Sequence, residues 1–150
     1  MWLPTSSDIK ECFMYLQQVY PQLQDHKLMK ESAIKSIVDK VQHGLPFKEI
    51  TFYDRMAILL FDLITEHCYS DGNKRIAFLS VIYTLSKNNY ILMGTDEYLI
   101  TFVMNVAKGL LFPNQISDEM RSLIKERYME DSIPSSLIHI YDKVFIALGE

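Results

Sequence analysis

Two stretches of the chain are apolar on almost every side of a helix, and only a short polar segment separates them. Residues 56–64 and 76–85 carry apolar side chains at most positions. A helix that has no polar face must be buried on all sides, so both stretches predict central helices of one core. The polar connection between them, 66–75, is therefore expected to be held firmly at both ends, which favours a functional site there.

The rest of the chain shows helical spacing and hardly any sustained alternation, which predicts an all-α fold. We expect a compact bundle of about six to seven helices in a single domain, 1–150, with a short extended flap before the central helix. Thr5 with Asp8, and Thr51 with Asp54, have the spacing of capping boxes. The first predicted helix begins after Asp8 and ends before Pro21. The next four span 28–42, 51–66, 73–87 and 95–109, another begins at Ser117, and the last spans 136–148.

Composition narrows the class of protein. The chain has 150 residues, 49% hydrophobic and 23% charged, which is typical of a globular protein. Its net charge of −4 argues against direct nucleic-acid binding as its main role. We expect neither a signal peptide nor a membrane-spanning segment. Cys12 and Cys68 have no zinc-site spacing, so reduced thiols and a cytoplasmic location are expected.

Residues 72–75 predict an anion-binding site at the start of the second central helix. The first backbone N–H groups of a helix lack internal partners and lie at the positive end of its dipole, so they bind phosphate. Gly72 and Asn73 supply that backbone, and glycine allows a ligand to approach closely. Lys74 and Arg75 are cations that oppose the dipole unless an anion is bound. A solvated Lys-Arg pair is the alternative interpretation.

Two further side chains of the connection suit acid–base or metal chemistry. His67 is a candidate base for a hydroxyl nucleophile, although a helix C-terminus and the adjacent Glu66 both favour the charged imidazolium. A histidine with no role at a helix end is the alternative. Asp71 is a candidate ligand of Mg²⁺, which commonly takes one or two carboxylates together with phosphate oxygens and water. Capping the following helix is the other use of such an aspartate.

The three remaining residues of the connection are expected to have structural roles. Tyr69 is its one large ring and should anchor the loop in the core, with its hydroxyl at a polar edge. Cys68 and Ser70 are expected to face outward. Cys68 is a weak candidate for a nucleophile. Together, the base, the carboxylate and the anion site form the equipment for phosphoryl or nucleotidyl transfer, in which catalysis is mostly positioning and charge neutralisation.

The run HCYSDGNKR, from His67 to Arg75, resembles the core motif of Fic/Doc proteins. That motif reads His-x-Phe-x-Asp/Glu-Gly-Asn-Gly-Arg-x-x-Arg in its adenylylating form, and Tyr69 stands in the place of its phenylalanine. Lys74 replaces its second glycine and Phe78 its second arginine. Both departures are shared with the Doc (death-on-curing) branch. The likeness extends over roughly 25–130, and the last predicted helix lies beyond it.

The resemblance to Doc implies a toxin that phosphorylates a hydroxyl of a translation factor, uses ATP and Mg²⁺, and is silenced by a small antitoxin protein. It implies that His67 is the base, that Asp71 holds Mg²⁺ and that Arg75 binds the ATP phosphates. It places the anion hole at Gly72, Asn73 and Lys74.

The segment 45–51 lies where the family keeps a flap that docks the target as an added strand. Phe47 and Ile50 are candidate docking side chains, with core packing as the alternative. Neither Glu11 nor Glu126 completes the inhibitory helix motif found in many Fic proteins. We therefore expect regulation by another protein.

Four functions compete. A Doc-like protein kinase is favoured over Fic-type transfer of AMP to a protein hydroxyl, because the missing second arginine removes a phosphate contact. A catalytically silent interaction module is an alternative of another class, which the intact His67 and Asp71 disfavour. A ribonuclease is the least favoured, because an acidic chain attracts RNA weakly.

Overall fold

A computed structural model describes residues 1–128 and 133–149 as a helical bundle with one small sheet. The all-α prediction is confirmed: 66% of the described residues are helical, and they form eight α-helices. The helices are α1 Ser6–Val19, α2 Glu31–His43, α3 Phe52–Thr65, α4 Asn73–Lys87, α5 Asp96–Ala107, α6 Pro113–Leu123, α7 Pro134–Ile140 and α8 Asp142–Leu148. The strands are β1 Tyr90–Leu92 and β2 Ile124–Glu126.

The core is built around α3 and α4, as their lack of a polar face predicts. α3 packs against α2, α4 and α6, and α4 also contacts α1, α5, α7 and α8. Most side chains of α4 are buried, including polar Ser80, Thr84 and Ser86. The connection between the two helices is therefore fixed from both sides by the most deeply buried part of the molecule.

Several helix boundaries are set by residues close to them in the sequence. Both predicted capping boxes form: Thr5 pairs with Asp8 at α1, and Thr51 pairs with Asp54 at α3. In each box the hydroxyl and the carboxylate satisfy N–H groups that the first helical turn leaves unpaired. α4 has the predicted bounds, since Gly72 ends the polar connection immediately before it.

Other boundaries differ from the predictions. α2 begins at Glu31, three residues late, because the residues before it pair with the polar connection. α6 begins at Pro113, a residue suited to the first helical position, and not at Ser117. Ser117 is buried within α6, and its hydroxyl donates to Asp54 Oδ1 at 2.7 Å.

Two features of the fold were not predicted. The segment between α4 and α5, for which no strand was predicted, contains β1, which pairs antiparallel with β2 through Ile91 opposite Lys125. The predicted last helix is two short helices, α7 and α8, which meet at Tyr141. The Tyr141 hydroxyl donates to the Leu92 carbonyl at 2.9 Å. The residue between the two helices therefore connects them to β1.

Among the described residues, no helix combines the length and apolar character needed to cross a membrane.

Phe78 connects the central helix to the C-terminal helices. Its side chain is 1% exposed, and its ring centroid lies 5.5 Å from that of Tyr141 and 5.3 Å from that of Phe145. We expect Phe78→Ala to lower the free energy of unfolding by about 3–5 kcal/mol, because it opens a cavity between α4 and α8. Urea denaturation measures this loss. Phe47→Ala, at a fully exposed phenylalanine, is the control and should cost less than about 0.5 kcal/mol.

The bond between Ser117 and Asp54 predicts a pH dependence of stability. Burial alone would raise the pKa of Asp54, but hydrogen bonds from Ser117 and Thr51 outweigh it and lower that pKa. The ionised carboxylate thus stabilises the fold above its unfolded pKa of about 3.9, and this stabilisation is lost as the pH falls through the folded value. Ser117→Ala should cost about 1 kcal/mol at pH 7 and progressively less below pH ~4.

Denaturation of both proteins at several pH values checks this prediction. Ser122→Ala changes an exposed serine of the same helix and serves as the control. An equal loss for Ser117→Ala at pH 7 and pH ~3 would contradict the assignment of the effect to the Asp54 carboxylate.

Candidate active site

One pocket, about 400 Å³ in volume, lies where the polar connection enters α4. This volume is within the range of small-molecule sites. The structure brings six sequence-predicted residues together in its wall: His67, Asp71, Gly72, Asn73, Lys74 and Arg75. The wall also contains Gln22 and Leu23, which follow α1, and Leu148 and Gly149 at the end of α8. Sequence reasoning missed these four residues, because only the fold brings them to the motif.

The segment before α2 holds the polar connection from one side. Tyr69 forms an antiparallel bridge with Leu28. The Cys68 carbonyl accepts hydrogen bonds from the N–H groups of Met29, at 2.7 Å, and Lys30, at 3.1 Å. Ser70 N–H donates to the Lys27 carbonyl at 3.0 Å. The loop backbone is therefore fixed by a main-chain ladder that no side-chain pattern in the sequence indicates.

Asn73 closes the loop from the other side. Its Oδ1 accepts from the Tyr69 N–H at 3.0 Å, and its Nδ2 donates to the Tyr69 carbonyl at 2.9 Å. The Asn73 side chain thus serves to hold the loop closed.

Tyr69 anchors the loop in the core, but its hydroxyl does not reach a polar edge. The residue is 3% exposed, and its ring stacks on Phe13 with centroids 4.1 Å apart. Among the described residues the buried hydroxyl has no hydrogen-bond partner, and burial raises its pKa. The expectation of a polar partner was wrong, because α1 covers this side of the loop with an aromatic side chain.

The fold itself requires a glycine at position 72. Its φ is +82°, a conformation that other residues rarely adopt. A Cβ atom at this position would lie 3.2 Å from Leu23 Cδ2 and 3.6 Å from Phe13 Cε1. The space left by the missing side chain is therefore occupied by the protein. Gly72 nevertheless lines the pocket, and its part in the anion site stays a prediction.

Asp71 is an exposed carboxylate on the pocket wall. Its Oδ1 accepts from the Gly72 N–H at 2.8 Å, and Asp71 is not the cap of α4, because the N-cap of that helix is Gly72. Its Oδ2 lies 3.7 Å from His26 Nε2, while His26 Nδ1 contacts Ser70 Oγ at 2.9 Å. His26 was not predicted, because it lies far from the motif in sequence.

His67 is exposed at the end of α3, with its backbone in the left-handed region at φ +49°. Histidine tolerates this region better than most residues, and strained backbone concentrates at functional sites. The Lys30 ammonium donates to the Glu66 carbonyl at 2.8 Å and so fixes the preceding peptide. Within the described ranges, the imidazole has no hydrogen-bond partner and remains accessible.

Arg75 is buried and not part of a solvated pair. It is 4% exposed, and its Nε donates to the Phe145 carbonyl at 2.8 Å. The guanidinium carbon lies 3.8 Å from the centroid of the Tyr20 ring. Burial lowers the pKa of Arg75, while Tyr20 and Asp71 act to raise it. A buried guanidinium on a pocket wall favours an anionic ligand.

Cys68 points into the core and not outward. It is fully buried, and burial raises the pKa of its thiol to about 11, with a further contribution from Glu66. A buried thiol with a raised pKa is a poor nucleophile. Cys68 is therefore not a candidate nucleophile, and the candidate catalytic groups are the side chains that line the pocket.

The flap is a tight turn, separate from the pocket. Leu45 and Lys48 form an antiparallel bridge, and Phe47 stands at the tip with φ +59° and its ring fully exposed. Ile50 is partly buried and packs against the core. It lines a second cavity, of about 270 Å³, together with Lys40 and neighbouring residues.

Asn73→Asp tests the closure of the loop. The change replaces the Nδ2 donor by an oxygen that faces the Tyr69 carbonyl, so one hydrogen bond becomes a repulsion. We expect a loss of about 1–3 kcal/mol in stability and faster amide exchange at 67–71. Hydrogen-exchange mass spectrometry measures this. Asn114→Asp, at an exposed asparagine of α6, is the control; equal exchange in both variants would show that Asn73 does not hold the loop.

Comparison with known proteins agrees with the geometry of the pocket. Residues 7–85, more than half of the chain, match the model of the Fic/DOC family. No curated protein matches the chain at a significant level. Members of the family are typically ATP-using transferases, and this supports a general protein-modifying transferase activity for the chain. The matched residues include the whole of α3, the polar connection and most of α4. The chain therefore belongs to the Fic/DOC family.

Proposed function

We propose that this protein is a Doc-like kinase that transfers the terminal phosphate of ATP to a hydroxyl side chain of a target protein. One observation carries the proposal: a single pocket holds an accessible imidazole at His67, a carboxylate at Asp71, a helix N-terminus and the buried Arg75. These are the groups that phosphoryl transfer needs for positioning and for neutralising charge.

The departures from the adenylylating motif support the Doc branch over transfer of AMP. Lys74 lines the pocket in place of a glycine. Phe78 takes the place of the second arginine and lies in the core between α4 and α8, so this position presents no cation to a phosphate. The cations available to the phosphates are then Lys74 and Arg75, which are adjacent and lie at one end of α4.

The start of α4 would bind the phosphate chain. The N–H groups of residues 73–75 have no partner within the helix and lie at its positive end. Arg75 adds a delocalised charge that can bind two phosphate oxygens at once. Because it is already buried and fixed, little ordering is needed when the phosphates arrive.

The side chains of the pocket are also suited to binding a magnesium ion. No group of three or more His, Cys, Asp or Glu side chains is arranged for a metal in the described part of the chain. Mg²⁺ needs none, since one carboxylate with phosphate oxygens and water completes its octahedron. Asp71 is that carboxylate, because it is exposed and one of its oxygens, Oδ2, is not engaged by the backbone. A bound Mg²⁺ would neutralise phosphate charge.

His67 would act as the base. The hydroxyl oxygen of the target attacks the terminal phosphorus, the bond from that phosphorus to the bridging oxygen breaks, and ADP leaves. The hydroxyl proton passes to the imidazole, which is accessible from solvent. An exposed base suits a macromolecular substrate, whose hydroxyl must enter the pocket from outside.

The partners in this proposal are the target protein and a small antitoxin. Phe47 is the better candidate for docking the target, since its ring stands free at the tip of the flap while Ile50 is already packed. A translation factor as target, and silencing by an antitoxin, follow from the likeness to the Doc branch.

Transfer of labelled phosphate tests the function. The protein is incubated with cell extract, Mg²⁺ and ATP that is labelled on either the alpha or the gamma phosphate. We expect label on a protein from gamma only. Label from alpha only would overturn the kinase in favour of AMP transfer. The absence of transfer from both, with a partner co-purifying, would favour the silent module.

His67→Ala tests the assignment of the base. We expect transfer to fall by about 10²–10⁴-fold while ATP binding and the melting temperature are retained. His43→Ala, at an exposed histidine of α2, is the matched control and should transfer normally. If transfer survives in His67→Ala, another group is the base.

A further inference from the structure

Three parts of the chain enclose the guanidinium of Arg75. The Tyr20 ring lies against its face at 3.8 Å, and the Phe145 carbonyl accepts from its Nε at 2.8 Å. Gly149 lies so close that a methyl group built on its Cα would overlap the guanidinium. We call Tyr20, the Phe145 carbonyl and Gly149 the Arg75 cradle.

Two members of the cradle lie outside the segment that defines the family. Residues 7–85 match the family model, whereas Phe145 and Gly149 belong to α8 and its end. Gly149 also lines the same pocket as His67 and Asp71. The last helix, to which sequence reasoning assigned no role, therefore reaches the site through Arg75.

The charge of Arg75 is not neutralised within the cradle. Its contacts there are a neutral ring, a carbonyl oxygen and a glycine. In the described ranges no carboxylate lies within ion-pair distance of it. Burying a cation costs free energy unless an anion compensates for it, and Arg75 lines the pocket, where an anion can approach it.

We propose that the cradle is a positioning device, in which α8 and Tyr20 hold the guanidinium of Arg75 toward the phosphate chain of the nucleotide. The proposal rests on the proposed function, because it takes the ligand of the pocket to be ATP. Stacking fixes the plane of the guanidinium, and the carbonyl fixes its rotation by occupying Nε. The remaining nitrogens are then preorganised for phosphate oxygens.

Tyr20→Leu and Tyr20→Phe form the central test. Leucine removes the aromatic face, whereas phenylalanine keeps it and removes only a buried hydroxyl that has no partner in the described residues. We expect Tyr20→Leu to bind MgATP about tenfold more weakly and Tyr20→Phe to bind as wild type, since stacking of a desolvated cation on a ring is of that magnitude. Adenosine, which has no phosphate, should bind all three proteins equally.

Gly149→Ala keeps the test decisive if Tyr20→Leu fails to fold. The φ of Gly149 is −85°, which alanine adopts without strain, so the change acts only through the added methyl group. We expect it to displace Arg75 and to weaken MgATP binding without weakening adenosine binding. Calorimetry measures the affinities, and circular dichroism confirms the fold.

The outcomes separate this proposal from the proposed function. Wild-type affinity for MgATP in both Tyr20→Leu and Gly149→Ala would overturn the cradle, even if wild type transfers phosphate. Tighter binding in either variant would also overturn it, since the cradle would then withhold Arg75 from the ligand. If wild type binds MgATP but transfers no phosphate, the kinase is overturned, and the affinities still decide on the cradle. If wild type does not bind MgATP, both are overturned.

Discussion

The double hydrogen bond between Asn73 and the backbone of Tyr69 is the constraint on which the site depends. It closes the loop into a ring of five residues at the exact point where α4 begins. Tyr69 is fixed under α1 by its stacking on Phe13. The peptide groups on either side of it therefore face the segment before α2, with which they form main-chain hydrogen bonds. His67, Asp71 and the first turn of α4 then have little freedom left, so the pocket is largely formed before any ligand arrives.

Local signals made much of the fold predictable. The capping boxes at Thr5 and Thr51 and the glycine before α4 were read correctly, because each acts within a few residues of chain. The start of α6 was misread at Ser117, because a serine followed by acids looks like a cap while its hydroxyl is committed to Asp54. A bond between distant elements leaves no periodic trace in the sequence, and the pairing of β1 with β2 was missed for the same reason.

The residues of the candidate site also divide into those that local sequence predicts and those that it does not. Six of its residues lie within nine positions of the chain, so a single motif places them in one pocket. The residues that orient them come from elsewhere: His26 beside Asp71, Leu23 against Gly72, and Tyr20 against Arg75. Orientation of Cys68 could not be predicted either, since it depends on which side of the loop the strand-like segment before α2 covers.

Phe145 contributes to the molecule in two unrelated ways. Its ring fills the core beside Phe78, and its carbonyl oxygen holds Arg75. Any residue at this position would supply the oxygen, whereas only a large apolar one fills the core. In a comparison of sequences the position would therefore vary as a packing residue does, and its part in the site would leave no signature. Main-chain atoms of a terminal helix can in this way become part of a site while escaping every motif by which such sites are recognised.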